Sequence, residues 1–292
     1  MSAATSSAAT RTGVAVQCVN VVQIYTTAGG HDVVALRGVN LDIGPGEQVA
    51  LLGPSGSGKS TLLSLFGGVL RPSAGRVLVG GTDISRIKEA ELGRLRAGTV
   101  ASLLQGASRN LLPYATPEEN VVFARKALSP AARRRLPAPA DLLERLGLGA
   151  LAGQPLRAMS GGEKQRVAFA AAVSSGAGLL LADEPTSQLS HDDRDAMIEL
   201  IHLVNREFGT TVVLVTHDPE VAAQLPRSIT IRNGRIGSEG RRGFEFGVVD
   251  EDGAVHIPDD LAGQFPAGML VQFEPTQQGV LIRPVDDQGR DR

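Results

Sequence analysis

The sequence contains one cysteine in 292 residues, so no disulfide can form within the chain. Valines at positions 16, 19, 21 and 22 surround Cys18 and predict a strand, which favours a buried, inert thiol over a reactive one. Apolar runs are short, and none approaches the ~18 residues that are needed to cross a bilayer. We therefore expect any contact with a membrane to go through a partner protein.

Neither sign of charge is in clear excess, and the formal net charge is −2. This balance argues against non-specific capture of nucleic acid or anionic lipid by the molecule as a whole. Residues 1–12 are rich in alanine, serine and threonine and lack the apolar stretch of a secretory signal, so they predict a disordered tail on a cytoplasmic chain. The hydrophobic fraction, 42%, is sufficient for a buried core.

Short apolar runs alternate with helical patterns along most of the chain. Residues 48–52 lead through a glycine-rich loop into a helical stretch at 59–69, and the apolar runs 179–182 and 211–215 enclose a predicted helix at 192–208. Continuous apolar strands separated by helices indicate a parallel sheet that is covered on both faces. The fold class that these patterns predict is α/β.

Other patterns mark the remaining regions. Residues 14–81 are rich in β-branched runs and glycine-containing turns, whereas residues from about 89 to 175 have a mostly helical pattern that is interrupted near Pro113 and Pro117. The pair Asn233-Gly234 between apolar residues predicts a β-hairpin. Residues 241–243, Arg-Arg-Gly, have the composition of a linker.

The strongest chemical signal is the segment Gly-Pro-Ser-Gly-Ser-Gly-Lys-Ser-Thr at 53–61, which fits the phosphate-loop pattern G-x-x-x-x-G-K-[ST]. Its glycines let backbone N–H groups approach phosphates closely, and the start of the next helix favours anions. We expect Lys59 to reach the β- and γ-phosphates and the Ser60 hydroxyl to ligate Mg²⁺. The predicted ligand is ATP with Mg²⁺, and the predicted binding residues are Gly53, Pro54, Ser55, Gly56, Ser57, Gly58, Lys59, Ser60 and Thr61.

A pair of acidic residues supplies the second half of the predicted site. The apolar run at 179–182 ends in Asp183 and Glu184, which suits the carboxyl edge of a parallel sheet, where ligands bind in such folds. Asp183 is expected to hold the Mg²⁺ shell, and Glu184 is placed to polarise an attacking water. Together with the phosphate loop, the pair predicts ATP hydrolysis.

The segment Met-Ser-Gly-Gly-Glu-Lys-Gln-Arg-Val at 159–167 resembles the signature of ABC-type ATPases and, as in that family, lies shortly before the acidic strand. The resemblance extends over about residues 14–238. It implies a P-loop NTPase fold at 13–240, with an ABC-type antiparallel β subdomain and a helical subdomain at about 106–175. It also implies a head-to-tail homodimer, in which one copy closes over the γ-phosphate held by the other copy. The closing residues would be Ser160, Gly161, Gly162 and Glu163.

Three further positions match this family. Tyr25 stands where the family stacks an aromatic ring on adenine. Gln105 resembles the glutamine that senses Mg²⁺ and the membrane partner, and His217 resembles the switch histidine that contacts the γ-phosphate. The resemblance therefore implies a catalytic set of Lys59, Glu184 and His217, and a metal shell of Ser60, Gln105 and Asp183.

Finer features are similar to the subgroup of lipoprotein-release, macrolide-efflux and FtsE-like ATPases. They are Gly67-Gly68 after the phosphate loop, Leu-Leu-Pro at 111–113 and Pro-Glu-Glu-Asn at 117–120. This subgroup implies a permease partner with few transmembrane helices and a large extracytoplasmic domain. The chain would then lie on the inner face of the plasma membrane, attached through that partner.

One departure from the family concerns the loop after Thr186. The family usually ends this D-loop in Leu-Asp, whereas this chain has Leu189-Ser190. The missing carboxylate puts in doubt a contact between protomers that couples the two ATP sites, and Asp192 and Asp193 are displaced by two or three positions. We expect slower or less coupled turnover, so Ser190→Asp should change the ATPase rate.

The last part of the chain, 244–286, predicts a small β-rich domain. Its pattern of strand, Asp-x-x-Gly turn, strand, Ile-Pro, short helix and final hairpin resembles the swapped-hairpin fold of AbrB and MazE-type proteins, which are intertwined dimers. Acidic residues at 250–252 and 259–260 oppose DNA binding. This favours a clamp between two ATPase subunits over DNA binding, and a small β appendage without a separate role stays open.

Two other functions compete with a transport role. An ABC protein of translation usually has two cassettes in one chain, and one of DNA repair has a long coiled coil; the sequence shows neither feature. A regulatory, nucleic-acid-associated module that uses ATP as a switch is the second alternative. A gel-shift experiment at physiological salt would test it.

Overall fold

A computed structural model describes residues 13–27, 29–241, 244–249, 253–255, 257, 261, 263–266 and 269–285. The predicted disordered tail at 1–12 and the acidic residues at 250–252 and 259–260 lie outside this part of the chain. The described strands are β1 (Val16–Thr26), β2 (Asp32–Ile43), β3 (Gln48–Leu52), β4 (Ala74–Val79), β5 (Thr82–Asp83), β6 (Val100–Leu103), β7 (Leu179–Asp183), β8 (Thr211–Val215), β9 (Arg227–Arg232), β10 (Arg235–Arg241), β11 (Phe244–Gly247), β12 (Leu270–Thr276) and β13 (Gly279–Val285). The described α-helices are α1 (Lys59–Phe66), α2 (Glu89–Gly98), α3 (Pro117–Ala124), α4 (Pro130–Arg133), α5 (Pro139–Arg145), α6 (Gly161–Val173), α7 (His191–Phe208) and α8 (Pro219–Ala223).

A seven-stranded sheet in the order β11-β10-β9-β3-β8-β7-β6 forms the centre of the fold. The strands from β9 to β6 run parallel, whereas β10 and β11 are antiparallel to their neighbours. Successive side chains in a strand point to opposite faces, so these apolar strands contribute to two cores. In β8, Val213 and Val215 pack with α1 on one side, and Val212 and Leu214 pack with α6 and α7 on the other.

The parallel strands end at the same edge of this sheet, and three of them lead directly into predicted site residues. β3 leads into the phosphate loop, β7 ends at Asp183, and β8 is followed by His217. A second, antiparallel sheet in the order β2-β1-β4-β5 lies on the α1 side. The predicted α/β class, with an antiparallel β part and a helical part, is confirmed.

The predicted hairpin at Asn233-Gly234 forms the turn between β9 and β10, with positive φ angles at both residues. Beyond it the structure differs from the linker composition at 241–243: Arg241 ends β10 and pairs with Phe244, the first residue of β11. β11 thus extends the central sheet by one strand and pairs with the edge that β10 would otherwise leave open.

The C-terminal segment contains the predicted final hairpin, β12 paired with β13, and an antiparallel bridge between Val249 and Val255. The placement of a domain boundary at 240–244 and the swapped arrangement stay predictions. Among the helices of the described residues, none combines the length and apolarity that crossing a membrane requires.

Candidate active site

The phosphate loop connects β3 to α1, and its geometry requires glycine at two positions. Gly53 and Gly58 have φ angles of 146° and 105°, which side chains with a Cβ rarely adopt. A Cβ on Gly58 would lie 2.7 Å from the carbonyl oxygen of Ala35, and one on Gly53 would overlap that of Ile231. At these two positions the loop therefore packs against neighbouring backbone with no room for a side chain.

Lys59 is folded back onto the phosphate loop. Its Nζ donates to the carbonyl oxygens of Gly53, at 2.7 Å, and of Pro54, at 2.8 Å. Burial lowers the pKa of the ammonium group, and the nearby charges of Glu184 and Asp183 oppose that shift. The ammonium group is thus held at the loop by carbonyl oxygens and lies within the field of two carboxylates.

Asp183 lies at the end of β7, beside the start of α1. The Ser60 hydroxyl donates to its Oδ1 at 3.3 Å. Burial raises the pKa of the Asp183 carboxyl, while Ser60 and the charge of Lys59 lower it. A serine hydroxyl and a carboxylate side by side are the oxygen ligands that Mg²⁺ takes from proteins when phosphates supply others. Ser60 and Asp183 therefore fit the predicted metal.

Glu184 and His217 meet across the ends of β7 and β8. The His217 Nδ1 lies 2.8 Å from Oε1 and 2.7 Å from Oε2 of Glu184. Glu184 has a φ of 50°, unusual for a residue with a side chain, and its N–H donates to the carbonyl oxygen of Val215 at 3.0 Å. The backbone strain at Glu184 turns its side chain toward the cleft, as is common at functional sites.

These groups surround an open cleft of about 620 Å³ at the carboxyl edge of the sheet. It contains the predicted residues Gln105, Asp183, Glu184 and His217 together with part of the phosphate loop. The full lining is Ala35, Ser55, Gly56, Gly58, Lys59, Ser60, Thr61, Gln105, Asp183, Glu184, Val215 and His217. The tertiary structure thus brings together residues that are up to 182 positions apart, from Ala35 to His217.

Some residues of the site were missed from the sequence. Ala35 and Val215 line the cleft, and the charge of Arg109 acts on Asp183. Asn110 holds the Gln105 loop: its amide accepts from Leu104 N at 2.9 Å and donates to Leu104 O at 2.7 Å. No motif signals these residues, because only the fold brings them beside the cleft.

Tyr25 lies at the border of the site rather than in its lining. Its hydroxyl donates to the Thr61 Oγ1 at 3.3 Å, and the ring is partly exposed. Ser57, within the phosphate loop, is buried, and its carbonyl oxygen accepts from Gly234 N at 3.1 Å. The roles of all these residues toward ATP stay predictions.

The signature segment begins α6 and has a capping box. The Ser160 Oγ accepts from Glu163 N at 3.1 Å, and the Glu163 carboxylate accepts from Ser160 N at 2.8 Å. Among the described residues that line the cleft, none comes from Ser160, Gly161, Gly162 or Glu163. A single copy therefore does not bring the signature segment to its own phosphate loop.

The D-loop ends at Ser190, which caps α7 by accepting from Asp193 N at 3.2 Å. The Ser190 hydroxyl also donates to Asp193 Oδ2 at 3.0 Å. The sequence separation made Asp193 look displaced, but one helical turn returns its carboxylate to Ser190. A carboxylate is thus present at the end of the D-loop, on a different residue.

Comparisons with known proteins identify similar chains. A family model described as ABC transporter matches residues 36–187, a segment that contains the phosphate loop, Gln105, the signature segment and the acidic pair. The chain is 41% identical over 214 residues to the lipoprotein-releasing system ATP-binding protein LolD 2 of Caulobacter vibrioides, covering 73% of this chain and 92% of the relative. It is 43% identical over 212 residues to the macrolide export ATP-binding/permease protein MacB of Brucella melitensis, covering 72% of this chain and 32% of that longer protein.

The solved structures that are similar to this chain include ATP-binding cassettes. The dimeric structure of a post-hydrolysis state of the ATP-binding cassette MJ0796, bound to ADP and Pi, superposes with a TM-score of 0.67 at 35% identity. That match covers 78% of this chain and the whole of the other. The structure of cbiO1 from Clostridium perfringens, part of the ABC transporter complex cbiONQ, matches with a TM-score of 0.67 at 28% identity, over 77% and 88% of the two chains.

Proposed function

Because the chain belongs to the ABC transporter family, we propose that it is the ATP-binding and ATP-hydrolysing subunit that energises a separate membrane permease. The observation that carries this proposal is the convergence of Lys59, Asp183, Glu184 and His217 on one cleft. Relatives with this cassette include the ATP-binding protein of a lipoprotein-releasing system and the ATP-binding/permease protein of a macrolide exporter.

Phosphoryl transfer needs positioning and charge neutralisation more than covalent chemistry. Lys59, already turned onto the loop, would move from its carbonyl partners to the β- and γ-phosphates. The Glu184 carboxylate would orient the attacking water and accept its proton, with His217 holding that carboxylate in place. Mg²⁺, held by Ser60 and Asp183 with Gln105 nearby, would supply positive charge to the phosphate oxygens.

The active form is proposed to be a head-to-tail homodimer. The signature residues do not line the cleft of their own chain, which supports a second copy placing its signature segment over the γ-phosphate. The N–H groups at the start of α6 would then face that phosphate, at a helix end that favours anions. The MJ0796 cassette is dimeric with ADP and Pi bound, which supports a dimer as the active form.

A surface formed by α3 and the residues just before it is suited to the membrane partner. It has exposed apolar side chains at Tyr114, Val122 and Phe123, and Tyr114 is 84% exposed. They border a groove of about 720 Å³. The groove is lined by Leu112, Tyr114, Ala115, Thr116, Glu118, Glu119, Val122, Phe123 and Lys126. Docking of a permease at this groove would place the subunit on the cytoplasmic face of the membrane and connect the partner to the ATP site through Gln105.

The C-terminal hairpin is proposed to connect two copies of the subunit. Alternate residues of β12 and their partners in β13 share one face. This face is entirely apolar and consists of Val271, Phe273, Pro275, Val280, Ile282 and Pro284. Phe273 is 62% and Val280 is 65% exposed. A two-stranded hairpin is only marginally stable alone, so packing against a second hairpin would stabilise both.

Two substitutions and one crosslinking experiment test the proposal. Glu184→Gln and Lys59→Ala should each reduce phosphate release by about 100-fold or more, whereas Glu199→Gln on the exposed side of α7 should not. Crosslinking of Glu184→Gln protein to membranes of the source cells with ATP, followed by mass spectrometry, should identify a permease with transmembrane helices. Unchanged ATP hydrolysis in Glu184→Gln would reject the enzymatic part of the proposal.

A further inference from the structure

Two adjacent charged residues in the first turn of α7 contact two different functional elements. Asp193 contacts the signature helix α6, and Arg194 contacts the loop that follows His217. The turn itself is fixed at its start by the Ser190 cap. Neighbouring residues on a helix point in different directions, so one rigid turn reaches both elements at once.

The contact of Asp193 with the signature helix is close and partly buried. Arg166 Nη1 donates to Asp193 Oδ1 at 2.6 Å, and the two side chains are only 20% and 29% exposed. The guanidinium of Arg166, with the hydroxyl of Ser190, lowers the pKa of the Asp193 carboxyl. A Cβ built on Gly162 would overlap this carboxylate. The carboxylate therefore lies against the segment that is expected to face the γ-phosphate.

The contact of Arg194 joins the same turn to the His217 loop. Arg194 Nη1 lies 3.2 Å from Asp218 Oδ2 and 3.2 Å from Glu220 Oε2, and its side chain is 16% exposed. Asp218 directly follows His217 and caps α8 by accepting from Glu220 N at 2.8 Å. Arg194 is thus the residue in the first turn of α7 through which a displacement of the His217 loop would reach the helix.

We propose that Asp193 and Arg194 are positioning residues that make the first turn of α7 a rigid link between the two ATP sites of the dimer. His217 belongs to the site held by its own phosphate loop, whereas the signature segment of the same chain closes the partner's site. The link transmits the state of one site to the other through Arg194, the helix turn and Asp193. This inference rests on the proposed head-to-tail dimer.

The test compares isosteric variants in the full chain. Asp193→Asn should lower kcat by about five- to tenfold, leave KM for ATP within about twofold, and reduce the Hill coefficient toward 1. The control Asp192→Asn removes the same charge from an exposed position of the same turn and should behave like the unaltered protein. Arg194→Gln should resemble Asp193→Asn, and Arg194→Lys should restore part of the loss.

The double variant Asp193→Asn/Arg194→Gln distinguishes a link from two separate contacts. A link fails when either end is released, so the double variant should be no slower than the slower single variant. If the fold-losses in kcat of the two single variants multiply in the double variant, the inference is overturned. Equal kinetics of Asp193→Asn and Asp192→Asn would also overturn it. A purely structural role would lower the melting temperature and leave the Hill coefficient unchanged, which would also overturn it.

If Asp193→Asn does not fold, Arg166→Lys alters the other member of the ion pair and should give the same kinetic pattern to a smaller extent. An unchanged Hill coefficient in Arg166→Lys would then count against the link. Failure of the proposed function is a separate result. It would appear as undiminished ATP hydrolysis in Glu184→Gln, whereas failure of the link leaves the Glu184→Gln defect intact.

Discussion

The imidazole of His217 and the carboxylate of Glu184 lie within 2.8 Å of each other, although 33 positions separate the two residues. Glu184 is largely shielded from solvent, and His217 is 68% exposed. The exposed imidazole can therefore reach a phosphate in the cleft while its Nδ1 stays on the carboxylate. This contact connects the predicted γ-phosphate sensor to the predicted catalytic base.

His217→Ala is expected to lower kcat by about 100-fold, because the Glu184 carboxylate loses the partner that orients it. KM should change much less, since Lys59 and the phosphate loop retain most of the nucleotide contacts. Steady-state phosphate release over a range of ATP concentrations measures both constants. His31→Ala, at an exposed loop position, is the control, and equal kcat values for the two variants would contradict the role of His217.

Asp183→Asn should stabilise the nucleotide-free protein at neutral pH while abolishing Mg²⁺-dependent hydrolysis. Burial raises the pKa of the Asp183 carboxyl in the folded chain, so its charged form costs folding stability at any pH above that raised pKa. We expect the melting temperature at pH 7.5 to rise by on the order of 2 °C.

The pH dependence of this gain follows from the direction of the shift. As pH falls through the raised pKa, the carboxyl takes up a proton in the folded state, its cost disappears, and the gain from asparagine should shrink toward zero. Melting curves in EDTA between pH 3 and 8 measure this gain in melting temperature, with Asp192→Asn as the charge-matched control. A gain that does not vary with pH would contradict the assignment to Asp183.

Asn120 is expected to hold the proposed permease surface in shape. Its buried amide accepts from Leu112 N at 2.7 Å and donates to Thr116 O at 2.9 Å. Asn120→Ala leaves these groups without their partner, which should lower the free energy of unfolding by about 1–3 kcal/mol.

Two measurements separate this scaffold role from a catalytic one. Permease copurification should fall more in Asn120→Ala than the ATPase rate of the isolated subunit. Asn120→Asp keeps the acceptor for Leu112 N and loses the donor, so we expect its effect to be intermediate. Equal losses of permease binding and isolated ATPase activity would argue against a specific role at this surface.

The C-terminal hairpin predicts a dimer that does not depend on ATP. Val280→Gln, on the apolar face, should convert that dimer to monomers because a polar amide would be buried at the contact. Leu281→Gln, the next residue on the opposite face, is the matched control and should stay dimeric. Sedimentation velocity without nucleotide gives the masses, and a monomeric unaltered protein would exclude the proposed contact.

A truncation provides an independent test of the same hairpin. Removal of residues after Gly247 keeps β11, which pairs with β10, and should give a chain that is monomeric without nucleotide and still hydrolyses ATP. Removal after position 243 also deletes β11 and exposes β10, so we expect poorer solubility from that shorter chain. Comparing the two truncated chains therefore separates loss of the hairpin contact between copies from damage to the central sheet.

The sequence by itself determined the local elements whose chemistry depends on neighbouring residues. The phosphate loop needs its glycines, lysine and serine at fixed spacing, and β8 at Thr211–Val215 and the Asn233-Gly234 turn were predicted at their observed positions. Local propensity and backbone geometry decide such features, so periodicity and motif spacing were sufficient. The family was recognisable for the same reason.

The tertiary structure decided which distant residues become neighbours. Strand order places β8 beside β7 and so brings His217 to Glu184, and it places β11, from the predicted C-terminal β-rich region, beside β10 in the central sheet. It also returns the Asp193 carboxylate to Ser190 and Gly162, which linear spacing had made look too far away. Such contacts depend on packing between separate segments, and no local pattern in a single sequence records them.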